Sequence, residues 1–147
     1  QKQIQLTKNY FTTIYNRKSA QSVTNPTLQI LASSLALKKV NLNSCTYLNH
    51  HRIRLSDGTT FLDCSLIGPF TFHNNKILHC HATKGMIQYR VHNLVKLNSI
   101  VIKDTINKIC KIKLVVKDMD LLEDFKFIYG RPEELVQYLD NINITSC

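Results

Sequence analysis

Alternation of apolar and polar positions dominates the middle of this chain. In residues 50–55, His-His-Arg-Ile-Arg-Leu, successive side chains of an extended strand point to opposite faces. Arg52 and Arg54 therefore share one face with His50, while Ile53 and Leu55 share the other. The run 108–117 is built the same way: Lys111, Lys113 and Lys117 fall on one face, with Cys110, Ile112, Leu114 and Val116 opposite. Each run predicts a strand with an apolar back and a cationic front. Ser56-Asp57-Gly58 reads as a tight turn from the first of them into a returning strand at 59–67. Residues 99–104 form a further strand, joined to 108–117 through a short turn at 105–107.

Other segments carry different periods. Leu6, Tyr10, Phe11 and Ile14 recur as on one helix face, with Thr7 placed to cap, which predicts a short amphipathic helix over 6–15. Residues 27–40 alternate at Leu28 and Ile30, lose phase at Ser33-Ser34 and resume at Leu35 and Leu37. That is the pattern of a long strand bent in its middle, although the Ala and Leu content would also suit a helix. Residues 70–81 fit a hairpin turning at Asn74-Asn75, and the apolar positions of 86–97 are read as a helix. Past Asp118 the chain turns acidic, and Pro132 opens a helix at 133–140 with acids at its positive end.

Charge sharpens this pattern. The formal net charge of +9 divides unevenly: residues 1–117 hold 17 Lys/Arg against Asp57, Asp63 and Asp104, a balance of +14, and residues 118–147 hold two bases against seven acids, a balance of −5. A body this basic favours anionic partners. The length suits one domain with its own core, and no window approaches the roughly 20 apolar residues of a membrane span. With no initiator Met, the chain is read as a segment of something longer. Five irregularly spaced cysteines point to reduced thiols and an intracellular compartment.

Candidate chemistry is sparse. His79-Cys80-His81 is the densest group of ligand-type residues, but strand parity sends the histidines to one side and Cys80 to the other. No paired short spacing of the zinc type occurs. The expected arrangement is solvent-facing histidines around a buried cysteine, with no metal and no cofactor. No Gly-rich loop follows a strand and no Ser sits in a nucleophile elbow, so the chain is read as a non-enzyme. The cationic strand faces remain, with few carboxylates beside them in sequence.

Taken in order, these elements are those of a five-stranded oligonucleotide-binding (OB) barrel, a mainly β fold. Along residues 6–132 the chain resembles the N-terminal domain of the replication protein A large subunit. The resemblance rests on Leu6-Thr7 with Ile14, Asn25 to Ile30, Arg52 to Gly58, Leu97 to Val101, Val115 to Leu122, and Ile128-Tyr129-Gly130-Arg131-Pro132. It implies a barrel over 1–122 with an N-terminal capping helix, an inter-strand helix and an insertion at about 68–83. An acidic extension over 123–147 carries a C-terminal helix. It also implies a nuclear docking module of a single-stranded-DNA-binding replication and repair factor. The basic cleft of such a module takes acidic amphipathic helices of repair and checkpoint partners and contacts single-stranded DNA weakly, while other subunits of a heterotrimer bind elsewhere. By the same resemblance Arg52, Arg54 and His50 line one wall of the cleft and Lys108, Lys111 and Lys113 the other. The alternatives are a domain that binds single-stranded DNA directly, with Tyr47, Phe61 and Tyr89 to stack on bases, or a tether in a telomere-directed paralogue. The acidic helix is itself a candidate occupant of the cleft.

Overall fold

The computed structural model describes residues 4–16, 25–36, 41–42, 45–46, 50–67, 70–73, 76–81, 83–104 and 112–145. Helix α1 (Tyr10–Asn16) is followed by β1 (Thr27–Ala36), the short pair β2 (Asn41–Leu42) and β3 (Cys45–Thr46), then β4 (His50–Ser56) and β5 (Thr60–Leu66). Next come β6 (Phe70–His73), β7 (Lys76–His81) and β8 (Gly85–Tyr89), the long β9 (Leu94–Asp104) and β10 (Ile112–Glu123), and finally β11 (Glu133–Glu134) and α2 (Leu135–Thr145). Among the described residues the fold is mainly β, with two helices and a closed five-stranded barrel. Around the barrel the strands run β1, β4, β5, β10, β9 and back to β1. Every contact is antiparallel except β5 with β10, where Val115 meets Ser65 and Val116 meets Leu66 in parallel.

Strand parity explains the core. Leu28, Ile30, Ile53, Leu55, Leu114, Val116 and Met119 point inward and are wholly buried, joined by Cys64, Leu66 and Leu97. The bend of β1 falls one turn of pleat earlier than Ser33-Ser34, at the register shift between Ile30 and Ala32. There Ile30, still opposite Leu55 of β4, bonds along its other edge to the 90–93 turn, accepting from His92 N at 2.6 Å and donating to Asn93 O at 3.0 Å.

The helix expected over 86–97 is not formed. That stretch is two strands, β8 and the start of β9, separated by a turn in which His92 takes φ 77° and Asn93 Oδ1 accepts from Arg90 N at 2.7 Å. Breaking one alternating run with a four-residue turn shifts its phase, and the sum imitates helical spacing. The hairpin expected over 70–81 is formed by antiparallel pairing of β6 with β7, and its turn at 74–75 lies outside the described residues. β6, β7 and β8 form a three-stranded meander whose Phe70, Ile77 and Tyr89 belong to the barrel core. It supplies the apolar surface that a helix between the third and fourth barrel strands was expected to supply.

Helix α1 starts later than anticipated. Thr7 does not cap it: its N donates to Thr27 O and its Oγ1 accepts from Thr27 N, both at 2.9 Å, so Thr7 pairs with the first barrel strand. Tyr10, Phe11 and Ile14 enter the core. The acidic C-terminal segment is bound to the barrel as well. Leu135 is fully buried, Leu139 packs against the core, and α2 lies against α1 and β5, so these two apolar residues are already occupied, while Ile142 is exposed.

Candidate functional site

On β4 the parity is as anticipated: Ile53 and Leu55 are inside, and Arg52 and Arg54 emerge on the outer face. The two arginines differ in what they meet. Arg54 lies opposite Asp63 on β5 and grips it with two bonds, Nε to Oδ1 at 2.7 Å and Nη2 to Oδ2 at 3.2 Å. Its guanidinium also lies 4.5 Å above the centre of the Phe61 ring. The hydrogen bond to Asp63 raises the Arg54 pKa further, outweighing partial burial, with the charges of Asp63 and Glu134 adding to the rise. The idea that carboxylates are scarce beside the basic strands is therefore corrected at this position. Counting back across the Asp57-Gly58 turn places Asp63 opposite Arg54, so the register already held this signal.

Arg52 lies between Ser34 on β1 and Ser65 on β5, and makes no ion pair among the described residues. Through Ser65, which meets Val115, the outer face continues onto β10, where Lys113 is exposed directly opposite Lys103 of β9. Like charges at opposed positions repel, which favours an anion between them. Arg52 and Lys113 thus stand on the outer surface with one strand, β5, between theirs. Ser65 and Val115, between them, are 8% and 5% exposed. For His50 only the strand position is described, at the start of β4, and Lys108 and Lys111 lie outside the described residues.

The aromatic candidates for base stacking are engaged otherwise. Tyr89 is buried and donates its hydroxyl to Met119 O at 2.6 Å; burial, then the charges of Asp118 and Asp120, raise its pKa. Phe61 is half-buried beneath Arg54, and Tyr47 lies outside the described residues. A group that sequence reasoning missed is Phe125, Phe127 and Tyr129, with Phe125 stacked on Tyr129 at 5.0 Å and Phe127 72% exposed.

Several motif residues prove to be locks. Asp57 is 2% exposed: Oδ2 accepts from Phe11 N at 3.1 Å, and Oδ1 from Thr59 N and Thr60 N at 3.0 and 2.8 Å. One carboxylate thereby closes its own turn and caps α1 from across the barrel end. Gln29, fully buried on β1, donates to His92 O and Phe127 O at 3.1 and 2.7 Å and accepts from Tyr129 N at 2.8 Å, fixing the exit segment. Gly130, at φ 66°, passes so close to the turn that a Cβ there would sit 2.4 Å from Gly58 O.

The expected arrangement of His79-Cys80-His81 is reversed. Cys80 is exposed and His79 is 3% exposed, because β7 turns the histidine side toward the barrel and its partner strands. Among known proteins, no family model matches the chain and no curated protein is significantly similar to it.

Proposed function

We propose that this is an OB-fold docking module whose outer face binds an acidic amphipathic helix. The reading extends the likeness to the replication protein A domain to a nuclear replication or repair setting. The barrel architecture supports it, since five-stranded barrels of this kind present ligands to their strand faces. The observation that carries it is Arg52, half-buried on that outer face without an acidic partner among the described residues, with exposed Lys113, opposed by the exposed Lys103 of β9, two strands away across β5. These cations would form charge-assisted hydrogen bonds to Asp and Glu side chains of the partner. Direct single-stranded-DNA binding is less favoured, because Tyr89 is buried and Phe61 is covered, so neither of the two stacking candidates among the described residues is free for a base.

The test titrates the domain with a fluorescent acidic helical peptide and with labelled oligothymidine at matched salt. Peptide binding should be salt-sensitive, and Arg52→Glu should weaken it about tenfold at low ionic strength. Tight oligothymidine binding that the peptide does not compete would overturn the reading.

A further inference from the structure

Between the meander and β10 lies a second polar group that the docking face does not use. His79 and His81 project from the same side of β7, and Asp118 and Asp120 from the same side of β10, on either side of the inward Met119. Ligand atoms of His81, Asp118 and Asp120 all lie within 4.8 Å of one another. The backbone between the two aspartates is pinned to the meander by the Tyr89 hydroxyl on Met119 O at 2.6 Å. Opposite them, β9 carries Asn98 at an irregular step of the ladder, and Asn98 Nδ2 donates to Asp118 Oδ2 at 3.3 Å. Irregular ladder steps often serve to aim side chains.

His79 supplies an independent observation. Its side chain is 4% exposed, its Nδ1 has no hydrogen-bond partner, and its Nε2 points at Asp118 Oδ1 from 3.8 Å, beyond hydrogen-bond reach. The ring is held there by stacking on Phe70 with centroids 4.4 Å apart. Two ligands of one tetrahedral ion with bonds of about 2.0–2.1 Å stand about 3.4 Å apart, close to the separation seen.

We propose that His81, Asp118 and Asp120 form a binding site for a divalent transition metal of the zinc class, with His79, whose Nε2 stands 3.8 Å from Asp118 Oδ1, closing on the ion as the fourth ligand. Two imidazoles with carboxylates are borderline donors, which selects zinc-like ions over the all-oxygen preference of Mg²⁺ and Ca²⁺. His81 Nδ1 lies 3.1 Å from Thr83 Oγ1, which accepts a hydrogen bond from the Nδ1–H tautomer that leaves the Nε2 lone pair for the ion. That change gives up the long bonds that Thr83 N and Lys84 N donate to Nδ1 at 3.2 and 3.3 Å. Lys84 Nζ donates to Asp120 Oδ1 at 2.9 Å and Lys96 Nζ stands 4.0 Å from Oδ2, so two ammonium groups face the carboxylate that the cation would use. Metal entry displaces Lys84, which is half exposed and free to swing away.

The experiment titrates the full chain with Zn²⁺ alone by calorimetry, and with Co²⁺ by visible absorption. One saturable site with a thermal upshift is expected. Asp118→Asn with Asp120→Asn should weaken it at least about a hundredfold, and His81→Gln at least about tenfold. Lys84→Met should tighten zinc binding several-fold, whereas a simple ion-pair network would lose stability and leave zinc binding unchanged. Cys80→Ser is the control for the exposed thiol nearby and should bind as the parent does. Absence of saturable binding, loss of binding in Cys80→Ser, or undiminished binding in the double aspartate variant overturns the proposal.

Discussion

Asp57 and His79 make an instructive pair. Both are buried polar side chains, 2% and 3% exposed, and both sit where a second layer of chain meets the barrel. Asp57 is saturated, with three backbone N–H groups and the Thr60 hydroxyl around its two oxygens. His79 has an orphaned Nδ1 and an Nε2 that stops short of Asp118. A buried group with all its partners fastens elements together; one left without them marks a place where the fold has kept a polar atom for something else.

The comparison predicts unequal responses to mutation. Asp57→Ala removes the shared acceptor and strands buried N–H groups at the turn and at the start of α1. Urea unfolding should show a loss of about 3 kcal/mol. Loss of under about 1 kcal/mol would mean that water replaces the carboxylate and that the lock is not one. Gly130→Ala attacks the same junction from the other chain. The added Cβ meets a backbone oxygen rather than a flexible side chain, and φ 66° is unfavourable for Ala. A loss of about 2 kcal/mol is expected, measured by the same unfolding midpoint.

These two residues also show what sequence made visible. Ser56-Asp57-Gly58 and Gly130-Arg131-Pro132 stand out as turn motifs, and strand parity placed Ile53 and Leu55 inside and Arg52 and Arg54 outside. Parity is local, so a single strand reveals it. What a buried acid touches depends on chain returning from elsewhere: Phe11 lies 46 positions from Asp57, and Tyr129 lies 100 from Gln29. Two strands of the meander were legible as a hairpin; its third, β8, was hidden because the turn at 90–93 breaks the alternation between it and β9. The His79–Asp118 seam was hidden because its two strands do not pair, so no register links them.

On the docking face the same contrast recurs in the two arginines. Arg54 is satisfied by Asp63, but both partners are about two-fifths exposed, so Arg54→Ala should cost under about 1 kcal/mol and less at high salt. It should also weaken acidic-peptide binding less than Arg52→Ala, since Arg54 already holds a carboxylate. An equal or larger effect at Arg54 would show that the partner displaces Asp63.

His51 extends the contrast to pH. Burial lowers its pKa below the ordinary 6.5, against a hydrogen bond with the Phe70 backbone that pulls it up, and its Nδ1 is another buried atom without a partner. The folded chain therefore takes up this proton less readily than the unfolded one. Its contribution to stability is fully present above about pH 6.5 and is lost as pH falls through the lower folded-state value. Urea midpoints at about pH 7.5 and 5.5 should differ in that direction, and His51→Gln should flatten the difference.

The smallest expected effect tests the comparison most directly. His79→Phe keeps a ring to stack on Phe70 and removes the unsatisfied nitrogen, so in metal-free buffer it should leave stability unchanged or raise it by up to about 1 kcal/mol. Asp57 has no such neutral replacement, because its acceptors serve backbone donors that stay behind. If His79→Phe instead destabilises by about 2 kcal/mol or more, the imidazole is a structural partner of Asp118, and the distinction between the two buried groups disappears. If stability holds while zinc binding falls, the chain keeps His79 for a ligand at some expense to its own packing.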